Sequence, residues 1–254
     1  NVGLTLPFSE ICQNAAGVKL TGGWPVGGTY SGPGVNNNNF YPALLAPGPY
    51  QITYSYRNAN NCLSSASDQV QVNPVPAVSL PPMVFCDNAG LVNLSSGSPA
   101  GGTYSGIYVS MGKFDVSAAG LGQHPVSYSY KDGNGCQVTL NGMVTVVPLP
   151  QVSIASAFEI CADALPMLLS GGSPAGGTWS GPGVSAGQFD PSGLIPGVYQ
   201  LTYTYTDGNG CTDAATTSMT VHALPVADAG SDRVICRDEC VQLMATGGVQ
   251  YLWS

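Results

Sequence analysis

The cysteines constrain this chain more than any other feature. They stand at positions 12, 62, 86, 136, 161, 211, 236 and 240. Cys12, Cys86, Cys161 and Cys236 recur every 74 or 75 residues, and Cys62, Cys136 and Cys211 each follow their predecessor by 50. A fixed period of that length marks a tandem repeat. It divides the 254 residues into units 1–76, 77–150 and 151–225 and the opening of a fourth, 226–254. Asn1 is not a start Met and Ser254 falls part-way through the fourth unit, so the expectation is a window on a longer polypeptide.

Each unit carries the same signals in the same order. An apolar stretch runs into the first cysteine, as in Phe8 to Cys12 and Phe158 to Cys161. A Gly-Gly-Thr-aromatic-Ser-Gly motif follows at 27–32, 101–106 and 176–181. The clearest strands are 50–56, 124–130 and 199–205, where large apolar and small polar residues alternate. Period two gives one buried and one solvated face. Gly-, Asn- and Asp-rich turns come next, Asp132-Gly133-Asn134-Gly135 among them, and mark hairpins. Pro-containing joints such as Asn73-Pro74-Val75-Pro76 separate the units and interrupt any ladder. No segment has a helical period. Gly (34) and Pro (20) together oppose long helices. The predicted class is all-β: tandem small antiparallel β-sandwich domains of immunoglobulin-like type, with one disulfide per complete unit.

A unit of about 75 residues buries a modest core, so cross-links matter. The constant 50-residue gap favours pairing inside each unit: Cys12–Cys62, Cys86–Cys136 and Cys161–Cys211. Zinc is the rival, but each complete unit offers two cysteines where a site needs about four ligands, and His occurs only at 124 and 222. Disulfides imply an oxidising, extracytoplasmic compartment. The repeat partner of Cys236 would fall about 50 residues on, beyond Ser254. Cys236 either bridges to Cys240, or each pairs elsewhere.

Other partners are bounded by composition. A net charge of −8 with six scattered Lys and Arg argues against nucleic acid, and no apolar run approaches the length of a membrane span. Neither histidine sits in a repeated constellation. His124 occupies the strand position of Tyr50 and Tyr199, and His222 lies in a joint. Calcium is a candidate cofactor, because Asp207, Asn209 and Asp213 place oxygens around a turn and Asp228 and Asp232 lie near a joint. The alternative is that these side chains serve the turns themselves. The strand tyrosines alternate in the phase of Ile52, Val126 and Leu201, which makes them core residues. Trp24 and Tyr41 are the candidates for an exposed contact.

The motifs Gly27 to Val35 and Gly176 to Val184, Phe189-Asp190-Pro191 and the stretch Tyr199 to Cys211 resemble the immunoglobulin-like and PKD-like repeats of very large cell-surface proteins of Bacteroidota. That group includes gliding-motility adhesins and other substrates of type IX secretion. The fourth unit is similar to a PKD-like opening through Ala227 to Asp232 and Gly247 to Ser254. The resemblance spans the chain and implies a non-catalytic stalk or filament segment of an extracellular, cell-surface adhesin. Its partners would be other repeats of the same chain, or a fibre formed by lateral self-association along exposed strand edges. Laid end to end, the units would reach on the order of 100 Å by strand rise. The alternatives are a module binding glycan or a surface polymer, and an accessory region of a secreted hydrolase.

Overall fold

The computed structural model describes residues 1–155, 157–250 and 252. Tyr251, Trp253 and Ser254, part of the fourth unit's signature, lie outside the described residues. The chain divides into two compact bodies, 1–147 and 148–254. The first holds two sandwiches and the second holds one, followed by the start of the fourth unit.

The three sandwiches share one plan, and each rests on a long hairpin. In the first repeat Gly48–Arg57 pairs antiparallel with Leu63–Asn73 over its full length. Gly122–Lys131 with Gln137–Val147, and Gly197–Thr206 with Thr212–His222, repeat it. The alternation in the sequence is realised: Ile52 and Tyr54, Val126 and Tyr128, and Leu201 and Tyr203 are buried, with exposed or half-buried residues between them. A short strand joins each side of the hairpin. Thr29–Ser31, Thr103–Ser105 and Thr178–Ser180 flank one side, and Glu10–Cys12, Met83–Cys86 and Phe158–Cys161 flank the other. A three-stranded sheet forms the opposing layer, built in the first repeat from Val18–Lys19, Asn39–Phe40 and Val35–Asn36.

Each sandwich has its own core. Leu6, Leu20, Phe40, Ile52, Val70 and Val72 fill the first, and Met83, Leu94, Phe114, Val116, Val126, Val144 and Val146 fill the second. Leu169, Phe189, Leu201, Met219 and Val221 fill the third. Phe40, Phe114 and Phe189, the lone aromatics that open each return segment, are all buried. Cores this small leave a role for covalent support.

Two features depart from a purely antiparallel, helix-free plan. The strand carrying the first cysteine runs parallel to the last strand: Glu10, Ile11 and Cys12 lie opposite Gln71, Val72 and Asn73. The same holds for Met83–Cys86 and Phe158–Cys161. These strands are far apart in sequence, so no tight turn forces them antiparallel, and the pairing covers an otherwise open sheet edge. The second departure is a four-residue α-helix, Val116–Ala119. Asp115 caps it by accepting from Ala118 N at 3.0 Å. In the first repeat Pro42–Leu44 forms a 3₁₀ turn at the equivalent place.

Candidate functional site: the cysteine joint between repeats

The cysteines pair differently from the expectation. Cys12 of the first repeat bonds to Cys136 of the second, with the two Cα atoms 5.4 Å apart. Cys86 and Cys211 are also disulfide-bonded. Cys62 and Cys161 carry free, exposed thiols. The expected Cys12–Cys62, Cys86–Cys136 and Cys161–Cys211 staples are therefore replaced by a bond that crosses from one sandwich to the next.

Strand register supplies the reason. Cys12 lies opposite Asn73, at the end of the last strand, whereas Cys62 immediately precedes Leu63, at the start of that same strand. Leu63–Asn73 is 11 residues long. At about 3.3 Å per residue the two cysteines of one repeat stand roughly 36 Å apart, beyond any disulfide. Cys86 opposite Val147, and Cys161 opposite His222, reproduce this separation in the other repeats. A strand-end cysteine therefore needs a partner outside its own repeat, and Cys12 finds it in the turn cysteine of a neighbour.

The turn that presents Cys136 is built by its own polar residues. Asp132 Oδ1 accepts from Asn134 N at 3.0 Å and from Cys136 N at 2.8 Å. Gly135 takes φ +83°, and its N–H reaches Asp132 O at 3.1 Å. Asp207 makes the same pair of bonds to Asn209 N and Cys211 N, both 2.9 Å. In the first repeat Asn58 Oδ1 does so toward Asn60 N and Cys62 N, both 3.0 Å. Across the joint Asn14 Nδ2 donates to Gln137 O at 2.9 Å, beside the disulfide. Cys136 and Cys211 are 0% exposed, although Cys62 occupies the same turn position and is exposed.

These bonds account for the calcium candidates. The hydrogen bond from Cys211 N, more than any other contact, holds the Asp207 carboxyl below its ordinary pKa, with bonds from Asn209 adding to it. Asp213 Oδ1 accepts from Ala214 N and Asp228 Oδ1 from Gly230 N, each at 2.8 Å. Among the described residues, no three His, Cys, Asp or Glu gather as a metal site. Asp207, Asn209, Asp213 and Asp228 all make backbone or turn contacts, and Asp232 joins no acidic cluster with them.

Cys236 and Cys240 are both free and exposed, so the short bridge between them does not form. Glu239 N donates to Cys236 O at 3.2 Å and Cys236 N to Glu239 Oε2 at 3.3 Å. The first of these bonds recurs after Cys12, Cys86 and Cys161, where Ala15, Ala89 and Ala164 N reach the cysteine carbonyl. Cys236 thus takes the same turn as Cys12, whose thiol is directed to a neighbouring repeat.

Each histidine has a partner in the fold. His124 Nε2 lies 2.9 Å from Gly120 O, and its ring packs on Tyr108 and Phe114. Tyr50 and Tyr199 reach the carbonyl four residues back in the same way. His222 faces Glu159 at 3.3 Å on the exposed surface. Of the two aromatic surface candidates, Trp24 is 62% exposed. Tyr41 is half-buried, with its ring directly over the Cα of Gly17.

One construction escaped the sequence reading. The glycine-rich motif is a clasp around a buried tyrosine. Tyr54 OH donates to Pro25 O at 2.5 Å and accepts from Gly28 N at 2.6 Å. Tyr203 repeats the arrangement with Pro174 O and Gly177 N, at 2.6 and 2.7 Å. Tyr128 does the same with Pro99 O and Gly102 N. A Cβ on Gly23, Gly97 or Gly172 would come within 2.5, 2.7 or 2.6 Å of the respective ring. The motif aromatic, Tyr30, Tyr104 or Trp179, packs tilted against the clasped ring at 4.9, 4.7 or 5.1 Å. The spacing of the glycines, equal in the three repeats, was visible, but the ring that they admit lies 26 residues downstream.

No family model and no curated protein matches this chain. Similar solved structures include a Ca²⁺-stabilised adhesin with which an Antarctic bacterium binds ice. It is 16% identical, with 90% of this chain and 77% of that one covered, and a TM-score of 0.31. The titin domains I67–I69 are 15% identical, with coverages of 86% and 96% and a TM-score of 0.31. Immunoglobulin domains 1–5 of Sidekick-1 are 12% identical, with coverages of 87% and 58% and a TM-score of 0.30. The chain spans a little over half of that last structure.

Proposed function

We propose that this chain is a non-catalytic structural segment of a secreted cell-surface adhesin, a stalk or filament in which sandwiches are joined covalently from one to the next. The observation that carries the reading is the Cys12–Cys136 bond, which ties consecutive sandwiches together instead of stapling each one internally. A tie of this kind lets consecutive sandwiches share load along an array. Disulfides fit an oxidising, extracytoplasmic location. Bacteroidota origin and export by type IX secretion follow from the resemblance of the repeat motifs and belong to the same proposal. Immunogold electron microscopy with an antibody against residues 1–147 tests it. Label on projections from intact cells is expected, and label confined to the cell interior or to detached compact particles would reject it.

A second reading, glycan or surface-polymer binding, is favoured by Trp24 alone. Its counterparts Ser98 and Ser173 are not aromatic, so any such site belongs to the first repeat rather than to the repeated fold. Glycan-array binding lost on Trp24→Ala would move that reading ahead.

A further inference from the structure

We infer that Cys62 and Cys161 are open halves of the inter-repeat bond seen at Cys12–Cys136. Cys161 is built to receive the turn cysteine of a like repeat, and Cys62 the strand-end cysteine of one.

Three observations carry this. Cys161 ends a strand parallel to the last strand of its sandwich and enters the same turn as Cys12, with Ala164 N on its carbonyl at 3.1 Å against 3.0 Å for Ala15 N on Cys12. Cys62 sits in a turn with the bonds that present Cys136: two donors on one side-chain oxygen, and Asn58 N on Cys62 O at 3.1 Å against 3.0 Å for Asp132 N on Cys136 O. Both thiols are exposed, while the bonded turn cysteines are fully buried. The ground beside Cys62 is correspondingly open. Leu63 is 59% exposed, and a concavity of about 330 Å³ lined by Val2, Pro25, Tyr56 and Leu63 adjoins the thiol. Neither can pair with the other cysteine of its own repeat, because the long strand separates Cys62 from Cys12 and Cys161 from Cys211.

The chemistry is ordinary thiol–disulfide exchange. A disulfide oxidant is attacked by one thiolate to give a mixed disulfide. The second thiolate then displaces the oxidant's remaining sulfur, so the two protein thiols lose two protons and two electrons and the oxidant leaves as a dithiol. The incoming repeat comes either from the same polypeptide or from a second copy, and its cysteine chemistry is the same in both cases. The inference takes its template from the Cys12–Cys136 bond of the first body and stands whether or not the array belongs to an adhesin.

Non-reducing peptide mapping tests it. The protein isolated from its natural source is blocked with N-ethylmaleimide and digested with pepsin at acid pH, where exchange is suppressed. The Cys12–Cys136 peptide serves as the internal standard. The expected result is loss of alkylation at both Cys62 and Cys161, with each found in a cross-linked peptide. A Cys161 peptide joined to the turn cysteine of another repeat, at the mass of one chain on a non-reducing gel, identifies the same polypeptide as the source. A Cys161–Cys62 peptide together with reductant-sensitive oligomers identifies a second copy. Full alkylation of both thiols, or bonds to a cysteine outside this repeat type, overturns the inference.

Discussion

Tyr54, Tyr128 and Tyr203 are buried hydroxyls with both hydrogen-bonding roles filled by backbone. In Tyr128→Phe the Gly102 N–H and the Pro99 carbonyl lose their partner inside the sandwich. The expected cost is about 1–3 kcal/mol, read as a lower denaturant midpoint with an unchanged slope. Asp207 makes a different kind of statement. Its carboxyl is held below the ordinary value in the folded turn, first by Cys211 N, so the stabilisation it gives is present above the unfolded carboxylate value, near pH 3.9, and is lost as pH falls through the lower folded value. Asn58 already fills the same role without a charge. Asp207→Asn should therefore keep the turn at neutral pH, and NMR chemical shifts of Asn209 and Cys211 amides should lose their acid titration.

At the scale of elements, the loop from Gly97 to Gly102 is shaped by the ring it encloses. A methyl at Gly102 would meet both the Tyr128 ring and Ser129 O, so Gly102→Ala should destabilise by about 3 kcal/mol, the upper end for overpacking, whereas Gly133→Ala meets open space and should be near neutral. Thermal melts of the two variants side by side check this. The long hairpins were legible in the sequence because alternation over seven residues leaves one reading: Ile52 and Tyr54 inward, Thr53 and Ser55 outward. The tyrosine clasp was not legible, since its contacts join residues 26 apart in sequence. The cysteine pairing was misread for a related reason. The parallel registration of Glu10–Cys12 on Gln71–Asn73 decides which end of the sandwich Cys12 occupies, and a three-residue strand carries no direction in its composition. The 50-residue interval fixed the period of the repeat without saying which copies were joined.

For the body of residues 1–147, the Cys12–Cys136 bond closes a loop with a sequence separation of 124. The chain-entropy model gives about 5 kcal/mol for a loop of that length, somewhat more than for the 50-residue loop expected from spacing. Cys12→Ala, Cys136→Ala and the double variant should lose the same stability, because each removes one shared constraint. A double variant worse than either single one by differential scanning calorimetry would mean that the thiols contribute separately. The same bond has a mechanical meaning. Tension entering before Cys12 and leaving after Cys136 passes through two sulfur atoms and leaves the intervening chain slack. That slack, with a separation of 124 residues at about 3.4 Å each, is on the order of 400 Å of hidden contour. Pulled by an optical trap, the oxidised segment should withhold this length and release it only when a reductant is added, so that a stretched array would unravel by chemistry before it unravelled by load.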